Sequence, residues 1–173
     1  MSRFRNLSLA VAGAVVAVST LVVAAPGASA AAPRCAGWGY RHHVNASGWV
    51  DREMFIIFPA HSPDERVEPD VGEGYWSCSL VQGSTGDGVA ALQQNINSCY
   101  YPGVIDTKLE EDGQFGRLTK AALVAVQQRH GIEANGQYGP QTARTMYHIY
   151  NNWRDMHSGC SRLDLWGWPG NSR

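Results

Sequence analysis

The chain writes one short passage twice. Asp112-Gly113-Gln114-Phe115-Gly116-Arg117-Leu118-Thr119 returns 23 residues later as Asn135-Gly136-Gln137-Tyr138-Gly139-Pro140-Gln141-Thr142. Each copy has an acid or amide, a glycine, an aromatic two residues on, and a second glycine where a helix should start. The glycines permit a positive φ and close backbone approach. Phe115 and Tyr138 read as apolar plugs. Thr119 and Thr142 fall in the first helical turn, where a hydroxyl can bond nearby backbone. A helix of about a dozen residues is marginal by itself in water. Two alike turns, each setting a helix against a common neighbour, therefore specify a small helical core. Asp112, Gly113, Phe115, Gly116, Thr119, Gly136, Tyr138, Gly139 and Thr142 are read as structural on this ground.

The helical signals agree. Val89, Leu92, Ile96 and Cys99 lie on one helical face, behind Asp87 or Thr85 as N-cap, and Tyr101-Pro102-Gly103 ends that run. A second helix is predicted over 117–130, with Ala122, Leu123, Val126 and His130 inward and Gly131 as a left-handed cap. A third opens at Gly139-Pro140, where proline suits the first helical position. Thr142, Thr145, Met146, Ile149 and Trp153 would carry its apolar face. Before residue 78 there is no helical period. Residues 54–58 read as a strand, 75–80 as a second short one, and 61–74 as a polar loop.

Arg3 and Arg5 precede an apolar run over 7–25, then Pro26-Gly27 and Ala28-Ser29-Ala30. That order predicts a secretory signal peptide over 1–30, with an uncleaved anchor as its rival. The expected organisation is then a β/loop extension at 31–77, a helical domain at 78–150 and a tail at 151–173, exported and free of the membrane after cleavage. With 14 basic and 15 acidic side chains, the chain has no electrostatic footprint for nucleic acid. Cys35, Cys78, Cys99 and Cys160 read as two disulfides, with three connectivities open. Without a Cys-x-x-Cys pair, structural zinc is not expected. No cofactor is implied.

Three strings carry a family resemblance. They are Leu80-x-x-Gly83-x-x-Gly86-x-x-Val89-x-x-Leu92-Gln93, Asp112-Gly113-x-Phe115-Gly116-x-x-Thr119-x-x-Ala122-Leu123-x-x-Val126-Gln127, and Gly131-Ile132 with Asn135-Gly136-x-Tyr138-Gly139-Pro140-x-Thr142. Over 79–149 the chain resembles the three-helix peptidoglycan-binding domain found at one end of many bacterial wall hydrolases. Asn135 stands where that family usually has Asp, and Val126 where it usually has Phe. The resemblance implies a mainly α fold: an orthogonal three-helix bundle with a small N-terminal β/loop segment tied by disulfides. It also implies non-catalytic binding of bacterial peptidoglycan, by a monomer, at the cell wall. Cys78 and Cys99, flanking the first helix, resemble a secreted Gram-positive subgroup. The run from 80 to 87, extended, covers a length similar to the first helix, about 18 Å at 1.5 Å per residue. That reach predicts Cys78–Cys99 and leaves Cys35 for Cys160. Candidate ligand contacts are the aromatics, amides and cations Tyr100, Tyr101, Gln114, Arg117, Gln137, Gln141 and Arg144.

An enzyme is not expected. No His-Glu-x-x-His pattern occurs, and His42-His43 would face opposite sides of a strand. Glu110-Glu111-Asp112 are contiguous in a polar loop, Glu53 stands alone, and residues 31–77 are too few for a cleft of their own. The alternatives are a small wall hydrolase with an unrecognised site, a hydrolase-associated protein, or a secreted interaction module or inhibitor on the same fold. Trp38, Tyr40, Trp49, Tyr75 and Trp76, with Trp153, Trp166 and Trp168, are expected to cover a small disulfide-tied core. A carbohydrate-stacking platform is the competing reading.

Overall fold

β-branched and aromatic residues recur between 37 and 60, and this stretch pairs with itself. In the computed structural model, which describes residues 32–44, 47, 49–61, 66–67 and 76–163, β1 (Gly37–Val44) lies antiparallel to β2 (Val50–Ala60). The expected signal peptide, Tyr75, Trp166 and Trp168 lie outside the described residues. A two-residue β3 (Arg66–Val67) runs parallel to β1. Three helices come next: α1 (Asp87–Tyr100), α2 (Arg117–Arg129) and the six-residue α3 (Pro140–Thr145). The chain then returns to strand as β4 (Tyr147–Asn152) and β5 (His157–Arg162), completing a five-stranded sheet in the order β3-β1-β2-β4-β5.

The expected mainly α, three-helix architecture is thus overturned. A sheet built from both sides of the helical segment carries as much of the fold as the helices do. The third helix was expected to run on through Ile149 and Trp153. It stops at Met146, whose ψ of 160° is extended. Tyr147-His148-Ile149-Tyr150 is rich in β-branched and aromatic residues, which favour a pleated surface over a helix. Apolar side chains at 146, 149 and 153 match a helical spacing, but pairing with β2 decides the conformation. Ile56, Phe55 and Met54 stand opposite Tyr150, Asn151 and Asn152. The short strand expected at 75–80 amounts, among the described residues, to single bridges: Ser79 to Arg34 and Leu80 to Tyr138.

α1 is the centre of the molecule. Val89, Leu92 and Ile96 are fully buried, as the spacing predicts, but so are Gln93, Asn95 and Asn97. Buried amides are tolerated when every polar atom has a partner, and each of these reads backbone. Asn95 donates to Ile57 O (3.2 Å) on β2 and accepts Ile149 N–H (2.7 Å) on β4, so it fills the place where the two strands part. Asn97 accepts Leu109 N–H (2.7 Å) and donates to Leu109 O (2.9 Å), pinning the loop after α1. Gly86, not Asp87 or Thr85, occupies the N-cap, with no side-chain cap. Asp87 lies in the first turn, where its charge suits the helix dipole.

The disulfides are Cys35–Cys78 and Cys99–Cys160, not the expected pairing. Ser79 N–H donates to Pro33 O (2.7 Å) and Cys35 N–H to Ser79 O (3.1 Å), so Cys78 runs beside the start of the sheet. The β4–β5 hairpin carries Cys160 back to the end of α1 at Cys99, a return that a loose C-terminal tail would not make. The loops closed, with separations of 43 and 61, give about 4 kcal/mol each in the chain-entropy account.

Candidate functional site

The repeated passage folds twice into the same latch. In the first copy the buried Gln93 amide donates to Asp112 Oδ1 (2.9 Å), Gln114 O (3.1 Å) and Thr119 Oγ1 (3.3 Å), and its oxygen accepts Gly113 N–H (2.9 Å). In the second, Gln127 donates to Asn135 Oδ1 (3.3 Å), Gln137 O (2.8 Å) and Thr142 Oγ1 (3.1 Å), and accepts Gly136 N–H (2.8 Å). Asp112 and Asn135 each also accept the amide two residues on, at 2.9 Å. The φ of Gly113 is 69° and that of Gly136 is 68°, the left-handed region glycine favours. A Cβ on Gly136 would meet Lys120 Cγ at 2.7 Å. Donors from Gln93 and Gln114 hold the Asp112 carboxyl below the usual carboxylate range.

Both latches dock on residues 80–86. Leu80 and Tyr138 exchange two backbone hydrogen bonds at 2.9 Å. Gly83 N–H donates to Phe115 O (3.0 Å), Phe115 N–H to Ser84 O (2.9 Å), and Gly86 N–H to Gly113 O (2.9 Å). Phe115 and Tyr138 are buried as plugs beneath this clasp.

The candidate contact residues fall into three groups. Gln114 and Arg117 are exposed at the start of α2, and Gln137, Gln141 and Arg144 are exposed around the start of α3. Arg144 lies over the buried Trp76 ring, 4.6 Å from its centroid. Tyr101 is exposed, with the Lys108 ammonium 5.5 Å from its ring centroid. Tyr100 is the correction: it is buried, so no ligand reaches it. Its hydroxyl accepts Tyr147 N–H and shares a hydrogen bond with His130 Nε2 (2.7 Å), tying the ends of α1 and α2 to β4. Burial, then Arg162 and Arg129, push the His130 pKa down, which favours the neutral ring.

Sequence reasoning named Trp38, Tyr40 and Trp153, with a stacking platform as the competing reading, but did not place them on one open sheet face. Trp38, Tyr40 and His42 alternate along β1, and their opposite partners on β2 are Pro59, Ile57 and Phe55. These residues share one face, opposite the Ile56, Phe58 and Ala60 side chains of the core. Trp38, Tyr40, His42, Phe55 and Ile57, with Trp153 and Arg52, line a cavity of about 570 Å³. Trp38 and Trp153 are 41% and 68% exposed, so of the described tryptophans only Trp76 serves to cover the core. The signal was present: every second residue from 38 to 42 is an aromatic or a histidine. Among the described residues, no three His, Cys, Asp or Glu side chains are grouped to hold a metal ion.

The likeness to known proteins lies in the helical segment. Residues 85–146, from the clasp to the end of α3, match the family model of a putative peptidoglycan binding domain. The flanking strands lie outside the match. Among curated relatives, the zinc D-Ala-D-Ala carboxypeptidase of Streptomyces albus G is 40% identical over 77 residues, which is 44% of this chain and 29% of that enzyme. The N-acetylmuramoyl-L-alanine amidase CwlM of Mycobacterium tuberculosis is 37% identical over 65 residues, 37% of this chain and 14% of that protein. The chain therefore spans less than a third of either relative.

Proposed function

We propose that this is an exported protein that binds bacterial cell-wall peptidoglycan and performs no chemistry on it. The observation that carries the reading is the coincidence of the family match with the doubly latched helical segment. The small share of the carboxypeptidase and the amidase that is matched supports the non-catalytic part: what is common is a minor piece of each relative. In this reading residues 1–30 direct export, 78–150 provide the wall-binding surface, and the protein acts as a monomer. The contacts come from Tyr101, Gln114, Arg117, Gln137, Gln141 and Arg144, because exposed amides and cations beside an aromatic suit sugars and short peptides. A shallow cleft of about 260 Å³, walled by Val104, Leu109, Leu118 and Ala125 beside Lys108, offers an apolar seat on the same segment.

The test is sedimentation with purified insoluble peptidoglycan, run alongside turbidity and release of soluble muropeptides. The protein should pellet with the wall and leave turbidity unchanged. Wall clearance at an enzymatic rate would assign it to the hydrolases. Failure to pellet would remove the wall-binding reading.

A further inference from the structure

The open sheet face carries more aromatic surface than the fold uses. Ile56, Phe58 and Ala60 complete the core on the other side of β2. On this side the ring centroids of Trp38 and Tyr40 stand 6.4 Å apart, those of Tyr40 and Phe55 5.7 Å, and those of Phe55 and Trp153 5.4 Å. The last two pairs are edge-to-face, so each ring is held by its neighbour, and little side-chain freedom remains to be lost on binding. The cavity they line, about 570 Å³, is within the usual size for small-ligand sites. Its border is polar, with Arg52 and His42. The irregular pairing after His42 is what brings Arg52 onto the Phe55 face.

A second cavity, of about 300 Å³, shares Trp38 and Ile57 with the first. Its other wall is α1, through Asp87, Ala90 and Gln94, inside the matched segment. Glu111 closes it. Flat apolar rings bounded by amide, carboxylate and guanidinium groups fit a ligand with an apolar C–H face and a rim of hydroxyls and amides. Two neighbouring cavities with Trp38 and Ile57 as a common border, one on the sheet and one against α1, fit an extended ligand. A uniformly apolar partner would leave these polar groups desolvated without bonds, which is costly.

We infer that the sheet face is a second binding site, for a β-linked, N-acetylated pyranose strand that stacks on Trp38 and Trp153 and continues along α1. The inference rests on the wall-binding reading for the identity of the polymer, and it assigns the glycan, not the stem peptide, to this face.

The probes are glycan strands stripped of peptide, N-acetylglucosamine oligomers, and free stem peptides, each titrated into the full chain while tryptophan fluorescence is read. The glycans should quench it and the peptides should not. Trp38→Ala with Trp153→Ala should weaken glycan binding by about tenfold or more. Trp153→Ala alone, at a ring 68% exposed, should weaken glycan binding while the melting temperature holds. Unchanged affinity in the double variant, or quenching by the peptides alone, would overturn the inference. So would a dimer that the double variant breaks, which gives the face to a second copy. Glycan binding that appears only after residues 164–173 are removed gives the face to the chain's own tail, and overturns the inference equally. If the double variant keeps wild-type affinity for the free glycan strands while the wild type pellets with intact wall, the wall-binding reading survives and this one falls. If the wild type fails on intact wall but binds free strands, the reverse holds.

Discussion

In the first copy of the repeated turn, Gln93 reaches a glycine 20 residues ahead; in the second, Gln127 reaches one only 9 ahead. The hydrogen bonds made at the two ends are the same set. The chain beyond each turn differs: 13 residues of helix after the first, 6 after the second and then a strand. The motif fixes a turn and the opening of a helix. It does not fix the helix length, which is set by what the next residues can pair with. After α2 nothing competes until Gly131, whereas after α3 the edge of β2 is waiting. His148 joins the two outcomes. From β4 its Nε2–H donates back to Ala143 O (2.8 Å), closing the end of the short helix.

The comparison can be broken most strongly at the plugs. Phe115→Ala and Tyr138→Ala should each cost about 3–5 kcal/mol, because both rings are fully packed. Denaturant unfolding should show the two losses to be alike; a much smaller loss at either would mean the copies are not equally central.

Acid should separate the copies. Complete burial lowers the His148 pKa from 6.5 to about 4. A base with a depressed folded pKa is proton-free when folded and protonated when unfolded. Its stabilisation is therefore full above pH 6.5 and is lost as pH falls toward 4, about 3 kcal/mol in all. Asp112, whose folded pKa lies below 3.8, gives up its share only at still lower pH. Asn135 has no proton to gain. Urea midpoints measured from pH 7 to 4 should fall, and His148→Phe should flatten the fall. A flat profile in the wild type would contradict a neutral, buried His148.

Gln93→Leu and Gln127→Leu should each cost about 1–3 kcal/mol by leaving a buried glycine N–H without an acceptor. Hydrogen exchange should show Gly113 losing protection in the first variant and Gly136 in the second, without crossover. The smallest effect belongs to Tyr138→Phe. The Tyr138 hydroxyl is buried and finds no partner among the described residues, and the first copy manages with Phe115. The variant should be neutral or about 1 kcal/mol more stable. A clear destabilisation would reveal a bond to that hydroxyl.

Much of the helical half was legible because its signals are local. Glycines at positive φ, a proline opening a helix and a period of 3.6 need no knowledge of distant residues. The sheet was not, because Phe55 and Asn151 meet across almost a hundred residues, and a strand at 147–152 is chosen only when β2 is there to pair. The buried amides of α1 were invisible for a related reason. Gln93, Asn95 and Asn97 read as polar surface until their distant backbone partners are in place. The same non-locality misdirected the cysteines, whose partners depend on where β5 returns. At the surface, sequence separated Tyr101 from Tyr100 no better. One side of a helix end faces solvent and the other faces His130 and Tyr147.

The two cross-links also decide how the protein would carry tension. A pull applied outside Cys35 and Cys160 enters at Cys35, crosses its sulfur bridge to Cys78, runs along the chain to Cys99 and leaves through the second bridge. The β1–β2 hairpin lies inside one covalent loop. α2, α3, β4 and the start of β5 lie inside the other, so neither loop bears load. Only residues 78–99, the clasp and most of α1, are in series with the force. The chain between the bridges can therefore extend to no more than about 70 Å before it becomes a taut covalent line.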